Sequence, residues 1–371
     1  MNSRLLARLD AAIAQAADPV EADVLRAERV GLLAREGRLD EARAGLGPLH
    51  RRHHLRPDAA TAAAICLADA MVDYFSDLGG QARVKLQQAR SLSISANRPA
   101  LQALCAAWLA HLDYVHDDFA GVVRHASLAM RLAAPDHHSA RSRANLVIAM
   151  SYHYAGRLDL AQPWYSRSRQ HASAEGDAAT ISALMHNMAA LRGDQARLAT
   201  VLDDDAARAE EALHALAATE SSEHFDDRIG GAALPVLQPI LRAQLLVTQR
   251  RHAEALVLFE AHFADALAQG LGRLECALRA DVAWCRSQLG QPQLAREQAL
   301  AAVAALRPEC HVDDLAVTHG RLAQVYRALG EATQARHHTQ QAREHADRHR
   351  AQQAQTVAEL DKTFGVGWSE E

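Results

Sequence analysis

Aromatic residues are scarce in this chain of 371 residues. Phe, Trp and Tyr make up only 4%, although hydrophobic residues as a whole make up 49%. Sheets are typically rich in β-branched and aromatic residues, whereas alanine and leucine are among the strongest helix formers. Glycine and proline are also few, at 19 and 10 residues. The composition therefore favours an all-α protein whose core is built largely from alanine and leucine.

The chain also lacks a basic excess and a long hydrophobic run. Its net charge is −5 and its pI is near 6.5, so a nucleic-acid partner is not expected. No run approaches the ~18 uncharged residues that a membrane span needs, and the N-terminal apolar stretch is interrupted by Arg4, Arg8 and Asp10. We expect neither a secretory signal nor a membrane partner.

Cysteine pairs are missing as well, because no CxxC occurs among the five cysteines: Cys66, Cys105, Cys276, Cys285 and Cys310. Buried reduced thiols in a cytoplasmic protein are the simplest interpretation. Lysine is nearly absent, with arginine supplying almost all of the 40 basic residues. This bias suggests a GC-rich bacterial genome.

Motifs for common chemistries are absent too: the sequence holds no GxGxxG, GxxxxGK[ST], GxSxG or HExxH. We therefore expect no enzyme activity and no cofactor. Two histidine groupings raise the alternative of a metal site: His338, His345 and His349, and His50, His53 and His54. Solvated helix ends are the preferred interpretation of both, so no metal is expected. The 21 histidines do predict pH sensitivity below about 6.

A repeat runs through most of the chain. The stretch YAGRLDLAQPWY (154–165) is similar to EGRLDEARAGL, LGQPQLAREQA and LGEATQARHHT. The small residue five positions after each turn falls at Ala42, Ala82, Val122, Ala161, Ala255, Ala295 and Ala335, with spacings of 40, 40, 39, 94, 40 and 40. A second small residue lies twelve positions earlier each time, at Val30, Ala70, Ala110, Ala149, Ala243, Ala283 and Ala323.

Such pairs indicate antiparallel helix hairpins, because two helices cross closely only where neither carries a bulky side chain. The pattern resembles the tetratricopeptide repeat (TPR) family. Gly156, Leu158, Ala161 and Ala149 match best, and Tyr152 and Tyr165 stand at the family's aromatic positions. The period of about 40 exceeds the usual 34, as in the extended variants in sensor arms of some bacterial regulators, and the family's first-helix tryptophan is absent. A HEAT-type array has a similar period, but the paired alanines favour TPR.

The resemblance implies a right-handed superhelical solenoid of about eight hairpins, with turns near 37, 77, 117, 156, 193, 250, 290 and 330. We predict five hairpins in residues 1–218, an insertion loop at 219–234 and three hairpins in residues 235–350. Residues 351–371 are predicted to form a capping helix and a tail. Phe364 and Trp368 would fold back as a hydrophobic cap or present a docking motif.

In the TPR family the first helix of each hairpin lines a concave groove where partners bind. Positions one and four after each first-helix alanine would face it. The predicted partner-binding residues are Met71, Tyr74, His111, Tyr114, Arg143, Met150, His153 and Trp284. Arg143 falls on the same stripe, six positions before Ala149, and would orient a carboxylate. The alternative is that these side chains pack only between helices.

The resemblance implies a non-catalytic adaptor that binds a protein segment, with self-association possible. The alternative is a small-molecule or peptide sensor whose ligand changes the superhelix, with two blocks pivoting at 218–235. A third hypothesis is an enzyme that uses the histidine-rich groove.

Overall fold

The computed structural model describes residues 3–202, 205–229, 234–365 and 368, and within these ranges no strand occurs. The described residues form seventeen α-helices and a short 3-10 turn at Leu271–Leu274. In chain order the helices are α1 Arg4–Gln15, α2 Pro19–Arg35, α3 Leu39–Leu55, α4 Ala59–Asp77, α5 Gln81–Ser95, α6 Pro99–Val115, α7 Phe119–Leu132, α8 His138–Tyr154, α9 Leu158–Glu175, α10 Ala178–Val201, α11 Asp205–Ile229, α12 Leu237–Thr248, α13 His252–Ala268, α14 Glu275–Gln288, α15 Pro292–Ala304, α16 Val312–Ala328 and α17 Ala332–Phe364.

Tight turns join the helices into hairpins at seven of the eight predicted places. In six of these turns a residue with positive φ lies five positions before the aligned small residue: Gly37, Asp117, Gly156, Arg250, Gly290 and Gly330. The residue in this left-handed conformation ends the first helix, and the N–H of the residue after it donates to a carbonyl in the last turn of that helix. The N–H of Arg157, for example, donates to the Tyr152 carbonyl at 2.9 Å. The glycines are found where this conformation is needed.

The paired small residues lie inside the hairpins, as predicted. All fourteen are buried; Ala149 and Ala161, on the packed helices α8 and α9, are 0% exposed. Val30 is the one larger first-helix member, and Gly45 of α3 makes room for it. A Cβ at Gly45 would lie only 2.7 Å from Val30 Cγ2. The hairpin pattern is therefore confirmed at the level of side-chain packing.

The chain forms two compact units. Unit 1 comprises Met1–Leu184, His224–Leu234 and Gln355–Glu371; unit 2 comprises Met185–Glu223 and Pro235–Ala354. In unit 1, α1 packs on α2, and α2, α4, α6 and α8 pack on one another in order. In unit 2, the first helices α12, α14 and α16 pack in the same way. The predicted blocks, divided at residue 218, do not coincide with these units.

The predicted turn near 193 is wrong. RGDQARL (192–198) lies inside α10, which runs unbroken over 24 residues. Gly193 is not in a left-handed conformation; a Cβ there would lie 3.1 Å from a methyl of Leu241 and 3.3 Å from one of Leu245. The glycine permits close helix packing rather than a turn, and the N-terminal part contains four hairpins followed by the long helices α10 and α11.

The predicted insertion loop at 219–234 is also wrong for residues 219–229, which complete α11. Its hydroxyl side chains bond back to the helix: Thr219 Oγ1 donates to the Ala215 carbonyl at 2.9 Å, and Ser221 Oγ to the Ala217 carbonyl at 2.8 Å. Ser222 is fully buried and accepts a hydrogen bond from Gln238 Nε2 at 2.9 Å. The polar residues of this segment indicated a loop, but their hydroxyl groups bond within or against the helix instead. Residues 230–233 lie outside the described residues.

The C-terminal segment differs from the prediction in one respect and agrees in another. No separate capping helix begins near 351, because α17 contains neither glycine nor proline and continues to Phe364. Phe364 and Trp368 fold back as a hydrophobic cap, with ring centroids 5.5 and 4.6 Å from that of Trp164. Asp361 accepts a hydrogen bond from the Tyr152 hydroxyl at 2.9 Å. The cap therefore covers α9 rather than the last repeat.

Among the described helices, α4 is long and apolar enough to span a membrane by length and composition. It carries three aspartates, and 61% of its apolar window is buried inside the protein. Its alanine-rich face belongs to the core of unit 1. These contacts are those of a core helix.

Candidate binding pocket

A pocket in unit 1 is lined by the first helices of four successive hairpins, together with α1 and the start of α10. Its cavity volume is about 70 Å³, and the wider space of about 670 Å³ around it includes open solvent. Most of the wall is apolar, and the lining residues are Leu5, Val24, Ala27, Glu28, Gly31, Leu32, Arg35, Ala64, Leu67, Ala68, Met71, Leu101, Leu104, Trp108, Ser139, Arg143 and Thr180.

The lining follows the repeat. Relative to each first-helix small residue, pocket residues recur six positions before it (Val24, Ala64, Leu104 and Arg143). Others recur two positions before it (Glu28, Ala68 and Trp108) and one after it (Gly31 and Met71). Steps of four and three keep these positions on one helix face. The repeat thus places one face of α2, α4, α6 and α8 around a common space.

Arg143 and Trp108 form the distinctive polar feature of this wall. The Arg143 guanidinium lies 4.0 Å from the centroid of the Trp108 ring, in a cation–π contact. Arg143 is only 5% exposed. Burial, together with the nearby positive charge of Arg35, lowers the pKa of Arg143 to about 10. It remains a cation at neutral pH, in surroundings that disfavour its charge.

Arg35, the other arginine of the wall, is neutralised inside the protein. Its Nη1 donates to Asp177 Oδ2 at 2.5 Å and to Thr180 Oγ1 at 3.0 Å. The remaining charged lining residue, Glu28, has an exposed side chain. Arg143 is therefore the lining cation without a hydrogen-bonded or ion-paired carboxylate of its own.

An aromatic cluster supports the Trp108 side of the pocket. The Tyr74 hydroxyl and His111 Nε2 are hydrogen-bonded at 2.8 Å, and the Trp108 ring lies 5.5 Å from the His111 ring and 5.9 Å from Phe75. Burial, and then the charge of Arg143, lowers the pKa of His111 to about 3. His111 is thus a neutral, buried partner of Tyr74 that holds the cluster in place.

The structure separates the predicted binding residues into different environments. Met71 and Arg143 line the pocket. Tyr74 and His111 lie in the cluster next to Trp108 and are buried. Tyr114 is half-buried with its ring edge-on to Phe119, at 6.3 Å. The predicted residues therefore do not all line one pocket.

Three further placements differ from the prediction. Met150 is 4% exposed and does not line the pocket. His153 is fully buried, with Nδ1 3.1 Å from the Tyr165 hydroxyl of α9. The groove placement is wrong for His153, because four positions after the alanine the side chain points into its own hairpin. Trp284 belongs to unit 2, where its half-buried ring packs edge-on against His252.

The sequence contained a usable signal for the residues that were missed. Trp108, Gly31 and Glu28 occupy the same stripe as Arg143, which the sequence alone had already placed six positions before Ala149. Helical side chains tilt toward the N-terminus. The pocket stripe therefore runs from six positions before each small residue, as at Arg143, to one position after it, as at Gly31.

Two histidines of the C-terminal grouping contact a histidine of another helix. In unit 2, His319 Nδ1 of α16 lies 2.9 Å from His338 Nδ1, and the His345 ring stacks on His319 at 5.4 Å. In the described part of the chain, His311, Asp313 and Asp314 are the group whose ligand atoms all lie within 4.8 Å of one another. Arg273 Nη1 is already 3.2 Å from His311 Nδ1, so a cation occupies this place.

Comparison with known proteins gives information about the fold. No family model matches the chain, and no curated protein matches it either. Among solved structures, the chain is similar to a Rap protein complexed with competence and sporulation factor. The two share 9% identity over 94% of this chain and 92% of the other, with a TM-score of 0.54. The chain therefore has an all-α, TPR-like repeat fold.

Proposed function

We propose that this protein is a non-catalytic, TPR-like regulatory adaptor that binds a protein segment in the pocket of unit 1. The observation that carries the proposal is the pocket itself. Four repeats contribute one helix stripe each to a mostly apolar wall with one cation that has no ion-pair partner. A mostly apolar concave surface with a few polar groups is the usual form of a binding site.

The binding energy would come from the apolar stripe. Leucines from several helices and Met71 line the pocket together with the Trp108 ring, and such side chains bury apolar area against a partner. Because helix packing holds the wall in place, little ordering is needed on binding. We expect the protein to be cytoplasmic and to transmit its effect through the partner.

The adaptor proposal can be tested by quantitative affinity capture from the native cell. Leu101→Glu would place a carboxylate on the pocket wall, whereas Ile94→Glu changes a residue of α5 that is 56% exposed. The expected result is a partner captured by the wild type and by Ile94→Glu but lost with Leu101→Glu. A partner that is retained equally by all three proteins would place its binding surface elsewhere and reject the proposal.

A sensor of a peptide or small molecule is the second candidate. The similar Rap protein was solved with competence and sporulation factor bound, which favours a ligand-responsive role for this fold. The predicted pivot loop no longer supports it, since residues 219–229 are helical. A sensor should show ligand-dependent protease cutting near Arg228, whereas an adaptor should capture its partner with that cutting pattern unchanged.

A further inference from the structure

Arg143 differs from the other deeply buried arginines in having no polar partner. Arg197 and Arg321 both donate to Asp281, at 3.2 and 2.9 Å, and Arg141 donates to two backbone carbonyls at 2.9 Å. In the described part of the chain no group forms a hydrogen bond or an ion pair with Arg143. Buried charges are normally paired, so this guanidinium lacks an anion.

The surroundings of Arg143 restrict the chemistry of that anion. One face of the guanidinium is covered by Trp108, and the pocket next to it is lined by leucines and alanines. The two hydroxyls of the wall are Ser139 and Thr180, and Thr180 already accepts from Arg35. A phosphate or another multiply charged group would find one free cation and an exposed Glu28 carboxylate. A single carboxylate attached to an apolar body fits this wall better.

We infer that the pocket binds an apolar monocarboxylate, with Arg143 holding the carboxylate and the leucine-rich wall holding the apolar part. The inference rests on the proposed function when the carboxylate is the C-terminus of a bound peptide. The edge of a guanidinium donates two parallel hydrogen bonds to a carboxylate, which fixes the direction of the ligand. Trp108 holds the plane of the guanidinium for this contact.

Gly31 provides an independent way to close the pocket. It lies in α2 on the pocket wall, and a Cβ there would be 3.5 Å from Met71 Cγ, an ordinary contact. Gly31→Ala should therefore fold normally and retain binding. Gly31→Leu adds three more carbons to the wall and should exclude a ligand without changing any charge.

The test uses three probes on the full chain. The first is a pool of acetylated tetrapeptides that end in Leu, Ile, Val or Phe with a free carboxylate. The second is the same pool with C-terminal amides, and the third is octanoate. Binding is measured by isothermal titration calorimetry for the wild type, Arg143→Met, Gly31→Leu and Gly31→Ala. Arg124→Met, at an exposed arginine of α7, is the matched charge control.

The expected result is binding of the free acids by the wild type, Gly31→Ala and Arg124→Met, with the amides at least tenfold weaker. Arg143→Met should abolish the difference between acid and amide, and Gly31→Leu should abolish binding of both. If only octanoate binds, with the same dependence on Arg143 and Gly31, the result supports the carboxylate site and rejects the peptide partner of the proposed function. Equal binding of acids and amides, binding unaffected by Arg143→Met, or no binding of any probe would overturn the inference.

Discussion

Arg143→Met should stabilise the folded protein, because it removes a buried positive charge that its surroundings disfavour. The pKa of Arg143 falls from 12.5 to about 10, which corresponds to roughly 3 kcal/mol of cost for the charged form in the folded state. Because the folded pKa lies below the unfolded one, this cost is fully present at any pH below about 10 and therefore at pH 7. Loss of the cation–π contact with Trp108 would reduce the resulting gain in stability by up to ~2 kcal/mol.

The net expectation is a variant about 1–2 kcal/mol more stable than the wild type at pH 7. Urea unfolding followed by circular dichroism measures this difference, provided that the transition of unit 1 is resolved. Arg35→Met is the matched control, because Arg35 is a second arginine of the same pocket that does have a carboxylate partner, the buried Asp177. Removing it leaves Asp177 buried and uncompensated, so we expect a loss of about 3–5 kcal/mol.

The two variants should thus change stability in opposite directions. If Arg143→Met destabilised the protein as strongly as Arg35→Met, Arg143 would be a structural residue with a satisfied charge. The assignment of an uncompensated cation in the pocket would then be refuted. A variant that is more stable but binds less is typical of a residue retained for function.

Three further predictions concern the fold. Burial lowers the pKa of His111 to about 3, below its unfolded value of about 6.5, so the folded protein should lose stability as the pH falls below 6.5, by ~2 kcal/mol at pH 5. Urea midpoints at pH 7.5 and 5.0 should show this loss, and His111→Gln should reduce it. Gly156→Ala should lower the free energy of unfolding by about 1 kcal/mol, because Gly156 has a φ of +74° and open space around it. Gly80→Ala, at a φ of −63°, should be neutral in the same urea titrations, and equal effects of the two changes would contradict the role of the turn. Asp281→Asn should cost at least ~3 kcal/mol in thermal unfolding, since two buried arginines share this carboxylate. The exposed Glu254→Ala should leave the thermal transition unchanged, and an equally small effect of Asp281→Asn would show that the buried charges are solvated.

The hairpins could be predicted because their determinants are local. A small residue on each side of a turn, such as Ala149 and Ala161, indicates where the two helices cross. The glycine between them, which has a positive φ, indicates the turn. The same logic failed at Gly193, where a small residue serves packing between α10 and α12. Sequence alone did not distinguish a glycine that turns the chain from one that lets helices approach.

The pocket was only partly predictable, because its lining depends on the direction of side chains around each helix. Arg143 and Met71, predicted to bind a partner, line the pocket, whereas His153, predicted to face the groove, is buried against Tyr165 of its own hairpin. Trp108 was missed, although it shares the stripe. That Arg143 lacks an anion is a tertiary property, since it depends on which carboxylates the other helices bring near, and no spacing in the sequence records it.

Site-specific photo-crosslinking tests the central claim, that the partner binds in the pocket of unit 1, most directly. Benzoylphenylalanine would replace Glu28, an exposed residue of the pocket wall, or Val84, a residue of α5 that is 58% exposed. Binding in the pocket predicts a partner adduct from position 28 that is lost with Gly31→Leu, and none from position 84. An adduct from position 84 alone, or one from position 28 that persists with Gly31→Leu, would contradict the claim.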